Sequence, residues 1–147
     1  MPYIRQSFST GQTMRTDTPL LIRLEDYRPS DWLIDTVDLD VSLHASQTRV
    51  RALLSLRPNP AGQAGAPLVM DGDELALVSI ALDGRTLAPE HYVATPQSLT
   101  IHTPPAGPFT LTIETLLDPT ANTKLMGLYR SNGVYCTQCE ADGFRRI

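Results

Sequence analysis

From Trp32 to His44 the chain alternates: Val37, Leu39, Val41 and Leu43 share one parity, and Thr36, Asp38, Asp40 and Ser42 the other. Period two with acids on one side predicts a half-buried strand. Thr48 to Arg57 repeats the pattern, with Val50, Ala52, Leu54 and Leu56 inward and Arg49, Arg51, Ser55 and Arg57 mostly outward. The acidic face of the first strand suits the arginine face of the second in an antiparallel pair, with Ala45-Ser46-Gln47 as the turn. Each cross-strand pair contributes only about 0.2–1 kcal/mol, so these charges set register rather than hold the fold.

Pro58 to Pro67 reads as a loop, followed by the short apolar Leu68-Val69-Met70 and the turn signal Asp71-Gly72. In Glu74 to Leu82 the apolar parity flips between Leu75/Leu77 and Val78/Ile80/Leu82. That flip predicts either a bulge near Leu77-Val78 or a strand buried on both faces, and bracketing Asp-Gly pairs favour strand over a short helix. Asp83-Gly84 suits a tight hairpin. Tyr92-Val93-Ala94 and Leu99-Thr100-Ile101 flank a turn at Pro96, and Phe109, Leu111 and Ile113 alternate with Thr110, Thr112 and Glu114 before Asp118-Pro119 ends that run. Seven or eight short strands with proline- and glycine-rich turns predict an all-β fold, a mainly antiparallel folded sheet or β-sandwich.

Composition narrows the function classes. The length of 147 residues suits one domain, the apolar content of 41% is ordinary, and no apolar run approaches a membrane span. A net charge of −4 without a basic stripe argues against nucleic acid as a partner. Two cysteines make no disulfide framework, and without an apolar leader a reducing, cytoplasmic location is expected. Residues 1–20, rich in Ser and Thr with Arg5 and Arg15, faintly match a transit-peptide composition, but a flexible polar extension ahead of a domain over 21–147 is the simpler expectation.

Candidate chemistry is sparse. Cys136 and Cys139 form a Cys-x-x-Cys pair, which supplies half of a zinc site, and His44, His91 and His102 stand at no ligand spacing from it. A redox site would place the pair at a helix start in a βαβ unit, which the chain lacks. Structural thiols are the expected reading. There is no His-Glu-x-x-His, phosphate loop or Gly-x-Ser-x-Gly, so no catalytic or metal-ligating residue is assigned. His102 reads as a solvent-facing strand histidine. Trp32 and Tyr27 flank the first strand and offer an aromatic pair for a sugar, although anchoring a strand end is the commoner role. Glu140, an isolated acid beside a thiol and an amide and near Gly143, has the chemistry to receive an ammonium group, although on the residues alone an ordinary exposed glutamate is the favoured reading.

The segments Asp26-Tyr27-Arg28-Pro29, Ile34 to Leu39, Leu75-Ala76-Leu77-Val78-Ser79, Ala121-Asn122-Thr123, Gly127-Leu128-Tyr129-Arg130-Ser131 and the closing CTQCEADGFRRI occur in an order that resembles the amino-terminal β-domain of the bacterial aminopeptidase N family. The first elements are weak alone; the last two, at their mutual spacing, are specific. The resemblance runs from about Leu21 to Ile147. Asp142 stands where a glutamate is more usual.

The resemblance implies a piece of a zinc exopeptidase that removes residues from peptide amino termini. The zinc, its His-Glu-x-x-His ligands and the Gly-x-Met-Glu-Asn amine-reading motif belong to a later domain, so this chain is expected to be inactive alone, to bind no zinc itself and to form one wall of the active-site entrance. On the matching motif, Glu140 accepts a hydrogen bond from the substrate α-ammonium and Gln138 lines the pocket for the first side chain. The partners implied are peptides with a free amino terminus and the catalytic domain, with no membrane. The β-domain is further expected to continue beyond Ile147, leaving an open sheet edge prone to self-association. A free-standing β-sandwich binding module with Trp32, Tyr27 and Tyr92 as contacts is the alternative.

Overall fold

The computed structural model describes residues 23–139; the polar extension over 1–20 and Glu140 lie outside them. Ten strands are described: β1 (Trp32–Ser42), β2 (Thr48–Pro58), β3 (Leu68–Asp71), β4 (Ala76–Leu82), β5 (Arg85–Thr86), β6 (Tyr92–Ala94), β7 (Ser98–Ile101), β8 (Phe109–Leu117), β9 (Gly127–Ser131) and β10 (Val134–Gln138). Every pairing is antiparallel. The expected all-β, antiparallel folded sheet is the fold found. Among the described residues no helix is long and apolar enough to cross a membrane.

A five-stranded sheet in the order β1-β2-β8-β4-β5 forms the main layer. Its first hairpin follows the charge pattern only in part. Asp40 opposes Arg51 across β1 and β2, and Arg57 Nε lies 3.0 Å from Asp35 Oδ1. Arg49 turns instead to Glu114 on β8, which also accepts a 3.2 Å hydrogen bond from Ser79. The second strand is central, so its arginines have two neighbours to choose from. The parity flip in β4 is a bulge: the register against β8 shifts between Leu77 and Ser79, returning Ile80 and Leu82 to the inner face opposite Ile113 and Leu111. Asp83 and Gly84 close the β4–β5 turn with φ of 48° and 74°.

A three-stranded sheet, β3-β7-β6, accompanies one end of this layer. Between them sits the core: Trp32, Leu54, Leu56, Leu68, Ile80, Ile101, Phe109, Leu111 and Ile113. Trp32 meets Phe109 edge to face at 5.6 Å, and its indole N–H donates to the carbonyls of Ala66 and Pro67 at 3.3 Å. Only 8% exposed, Trp32 is a core anchor and not a surface contact, while Tyr27 is 75% exposed. The proposed aromatic pair is therefore divided between interior and solvent. Asp31 closes the adjoining loop: its Oδ1 accepts from the Gln63 amide at 2.8 Å, and both its oxygens accept from Arg28 at 3.0 Å. Gly62 permits this approach, because a Cβ there would stand 2.6 Å from the Asp31 Cα.

Candidate functional site

The last described strands form a hairpin of their own. β9 and β10 pair in register from Ser131–Val134 to Gly127–Gln138, around a turn at Asn132-Gly133 whose φ angles are 49° and 82°. Such a turn needs positive φ at both central positions, which Asn-Gly supplies. This hairpin raises the described strands to ten against an expectation of seven or eight. The Asn-Gly dipeptide between apolar residues was the signal for it.

Period two sorts the hairpin into two faces. Leu128, Tyr135 and Thr137 line a concavity of about 1400 Å³, whose other walls are the inner faces of β1, β2 and β8 and the loops around residues 71–77 and 94–99. Tyr129, Cys136 and Gln138 alternate onto the opposite face. Gln138, the last residue of β10, is exposed and pairs with Gly127. Glu140, the other sequence-predicted site residue, follows Gln138 by two positions in the sequence and lies outside the described residues.

The hairpin is mounted by side-chain to main-chain bonds from the loop before it. Asp118 Oδ1 accepts from the amides of Thr120 and Ala121 at 2.9 and 3.0 Å. The Thr120 amide and hydroxyl both donate to the Ala45 carbonyl, at 3.1 and 2.7 Å, which ties this loop to the β1–β2 turn. Asn122 Nδ2 donates to the carbonyls of Met126 and Leu128 at 2.8 and 2.9 Å, so one amide holds both the loop and the first rung of β9. The Arg130 amide donates to Pro119 O at 2.9 Å, and its guanidinium sits 5.1 Å from the Tyr135 ring centroid while donating to Gly133 O. That places a cation on an aromatic face inside the hairpin.

One cation bridges this loop to the β3–β4 loop. Lys124 Nζ lies 2.7 Å from Asp73 Oδ1 and 3.0 Å from Glu74 Oε1. Hydrogen bonds to Asp73 and then Glu74 hold its ammonium above the usual lysine range, outweighing slight desolvation.

Cys136 and Cys139 are free, half-buried thiols, and Cys136 Sγ makes a long 3.9 Å contact to Val134 O. Among the described residues no three His, Cys, Asp or Glu side chains converge to hold a metal ion. His44, in the β1–β2 connection, and His91 and His102, which meet only through a main-chain hydrogen bond of 3.0 Å, do not join the cysteines.

No protein-family model matches the chain. Individual proteins do. The aminopeptidase N of Caulobacter vibrioides is 51% identical over 134 residues, 91% of this chain and 15% of that protein. The aminopeptidase N of Escherichia coli is 38% identical over 135 residues, 90% of this chain and again 15% of the relative. Among solved structures, Legionella pneumophila aminopeptidase A, crystallised with aspartic acid, superposes with a TM-score of 0.75 at 34% identity, over 85% of this chain and 15% of that one. The chain thus spans about 15% of the length of the curated relatives it matches. By sequence and by fold it belongs to the aminopeptidase N family, corresponding to the family's amino-terminal region.

Proposed function

We propose that this chain forms the amino-terminal wall of the active site in a zinc aminopeptidase, where it recognises the substrate α-amine and carries no catalytic group of its own. The observation that carries the reading is the 51% identity to an aminopeptidase N across nearly the whole chain. The β9–β10 hairpin supports it structurally. It presents Gln138 to solvent at the end of β10, two positions before Glu140 in the sequence. In the reading, Gln138 lines the pocket for the first side chain and Glu140 accepts from the ammonium.

The chemistry fits an exopeptidase. A carboxylate aimed at an ammonium rewards a free amino terminus with a charge-assisted hydrogen bond, worth about 1.5–3 kcal/mol. In this reading the zinc ligands belong to the catalytic domain; among the described residues no three His, Cys, Asp or Glu side chains converge. A zinc ion held by that domain would supply Lewis acidity toward the scissile carbonyl and a water of lowered pKa. The partners in this reading are peptides with free amino termini and the zinc-bearing domain, in a reducing cytoplasm that keeps both thiols free. The alternative of a free-standing β-sandwich binding module loses one of its three contacts, since Trp32 is buried in the core.

The test is Glu140→Ala in a polypeptide that also carries the zinc domain. kcat/KM on an aminoacyl substrate should fall about 10- to 150-fold. Unchanged kinetics would sink the assignment.

A further inference from the structure

Four residues other than glycine hold left-handed backbone among the described residues: Glu74, Asp83, Leu125 and Asn132, with φ of 58°, 48°, 56° and 49°. Asp83 and Asn132 each precede a glycine in a tight hairpin turn, where this conformation is normal. Glu74 and Leu125 have no such turn chemistry. A long or branched side chain at positive φ is costly and persists only where its surroundings over-determine it.

Glu74 belongs to an ion cluster and Leu125 adjoins it. Asp73 and Glu74 lie in the β3–β4 loop, and the Lys124 that bridges them immediately precedes Leu125. The far side of the β3–β4 loop is fixed by main-chain bonds: the Gly72 amide donates to Gln97 O at 2.9 Å and the Glu74 amide to Pro96 O at 2.8 Å. The acids are therefore tied by main-chain bonds to the three-stranded sheet's side of the concavity. The hairpin is the opposite case. β9 and β10 pair with each other and with no other described strand. Its pose depends on the loop that enters it, which Thr120 tethers to the β1–β2 turn and Lys124 to the β3–β4 loop.

We propose that Lys124 with Asp73 and Glu74 is a latch that fixes the pose of the β9–β10 hairpin, making Lys124 a positioning residue for the amine-recognising segment that follows Gln138. The inference rests on the function proposed above. The two tethers, Ala45 at one end of the loop and Asp73 at the other, hold the hairpin over the concavity. The strained Glu74 and Leu125 lie where the backbone must bend to bring cation and acids together. A lysine ammonium is charged near neutral pH in any case, and the hydrogen bonds to both acids stabilise that charged form further.

The test begins with amide hydrogen exchange on this chain. In Lys124→Met, which keeps the apolar stem and removes the charge, amides of residues 127–138 should exchange about 1.4- to 5-fold faster, the range expected of a partly exposed ion pair. Amides of β2 and β8 should be unmoved, and Lys124→Arg should restore protection. Unchanged hairpin exchange, or an equal rise in β2 and β8, overturns the latch. The second arm is kinetic, in a polypeptide that also carries the zinc domain. Lys124→Met should raise KM for an aminoacyl substrate by a similar factor with kcat unchanged, and Lys124→Arg should rescue it. A fall in kcat at constant KM, or no change in either, overturns the positioning role. The two readings separate cleanly: Glu140→Ala with full activity removes amine recognition, whereas the exchange pattern alone decides the latch.

Discussion

Leu56 and Leu39 belong to the inner face of the same sheet, yet Leu56 is 1% exposed and Leu39 59%. The difference is what lies above them. Near Leu56 the inner face packs against Leu68 and Ile101 of the three-stranded sheet, with Trp32 and Phe109 closing the end. Around Leu39 the hairpin overhangs and leaves the concavity, so Val37, Val41 and Leu43 are exposed as well. The alternation is equally regular in both places. A period-two pattern defines a face; it does not say what covers that face. A contiguous apolar patch of more than a few hundred Å² is the mark of a surface that meets something.

The sharpest way to break this contrast is to cut one side chain at each end. Leu111, 0% exposed on β8, is surrounded by core residues. Leu111→Ala should lower the unfolding free energy by about 2–5 kcal/mol through lost transfer energy and the cavity left behind. Urea unfolding followed by circular dichroism measures it. A loss below about 1 kcal/mol would mean that the covered end is not the core, since surface changes fall in that range.

The parts of the fold legible in the sequence are those decided locally. The β1 and β2 limits, the bulge between Leu77 and Ser79 and the Asp83-Gly84 turn all follow from parity and turn chemistry within a few residues. The Asn132-Gly133 hairpin carries the same turn signal, but its flanking strands, Gly127–Ser131 and Val134–Gln138, lack the regular apolar alternation that marks β1, β2 and β8. Arg49 choosing Glu114 over the acids of β1 depends on strand order, which pairs residues 65 apart in sequence. The same is true of Trp32, whose burial depends on Ala66 and Phe109. For the proposed site, Gln138 and Glu140 rest on the resemblance alone, while the contacts of Asn122 and Lys124 are visible only in the geometry, since an amide and a lysine in a loop announce nothing until their partners are known.

A second test uses acid. Asp31 beside the covered end and Glu114 on the outer face both titrate below the usual carboxylate range. The Gln63 amide does most to stabilise the Asp31 carboxylate and the Arg49 guanidinium that of Glu114; desolvation opposes each, and Arg28 and Ser79 add smaller support to Asp31 and Glu114 respectively. A folded-state value below the unfolded one contributes stability that is complete above the unfolded value, about 4, and is lost as pH falls through the folded value. The chain should therefore lose stability progressively below about pH 4. In the double variant Asp31→Asn, Glu114→Gln, the curve of unfolding free energy against pH should be flatter over that window. Superimposable slopes in the two proteins would rule out a contribution from these contacts.

The smallest effect on stability tests the uncovered end most directly. Leu39 has little to lose on unfolding, because its side chain already meets water, so Leu39→Lys should change the unfolding free energy by no more than about 0.5 kcal/mol. Its consequence lies in association. β1 is an edge strand in the five-stranded sheet, with eleven residues and an apolar stripe on its inner face. An edge that is long and apolar is a template for another chain unless a charge blunts it. The chain alone should associate as concentration rises, by sedimentation velocity, and Leu39→Lys should shift that association to higher concentration while leaving Leu111 packed and the core intact. A chain that stays monomeric at high concentration refutes the sticky edge. If instead Leu39→Lys unfolds the protein, then Leu39 was supporting the fold and the two ends of the sheet are not different in kind.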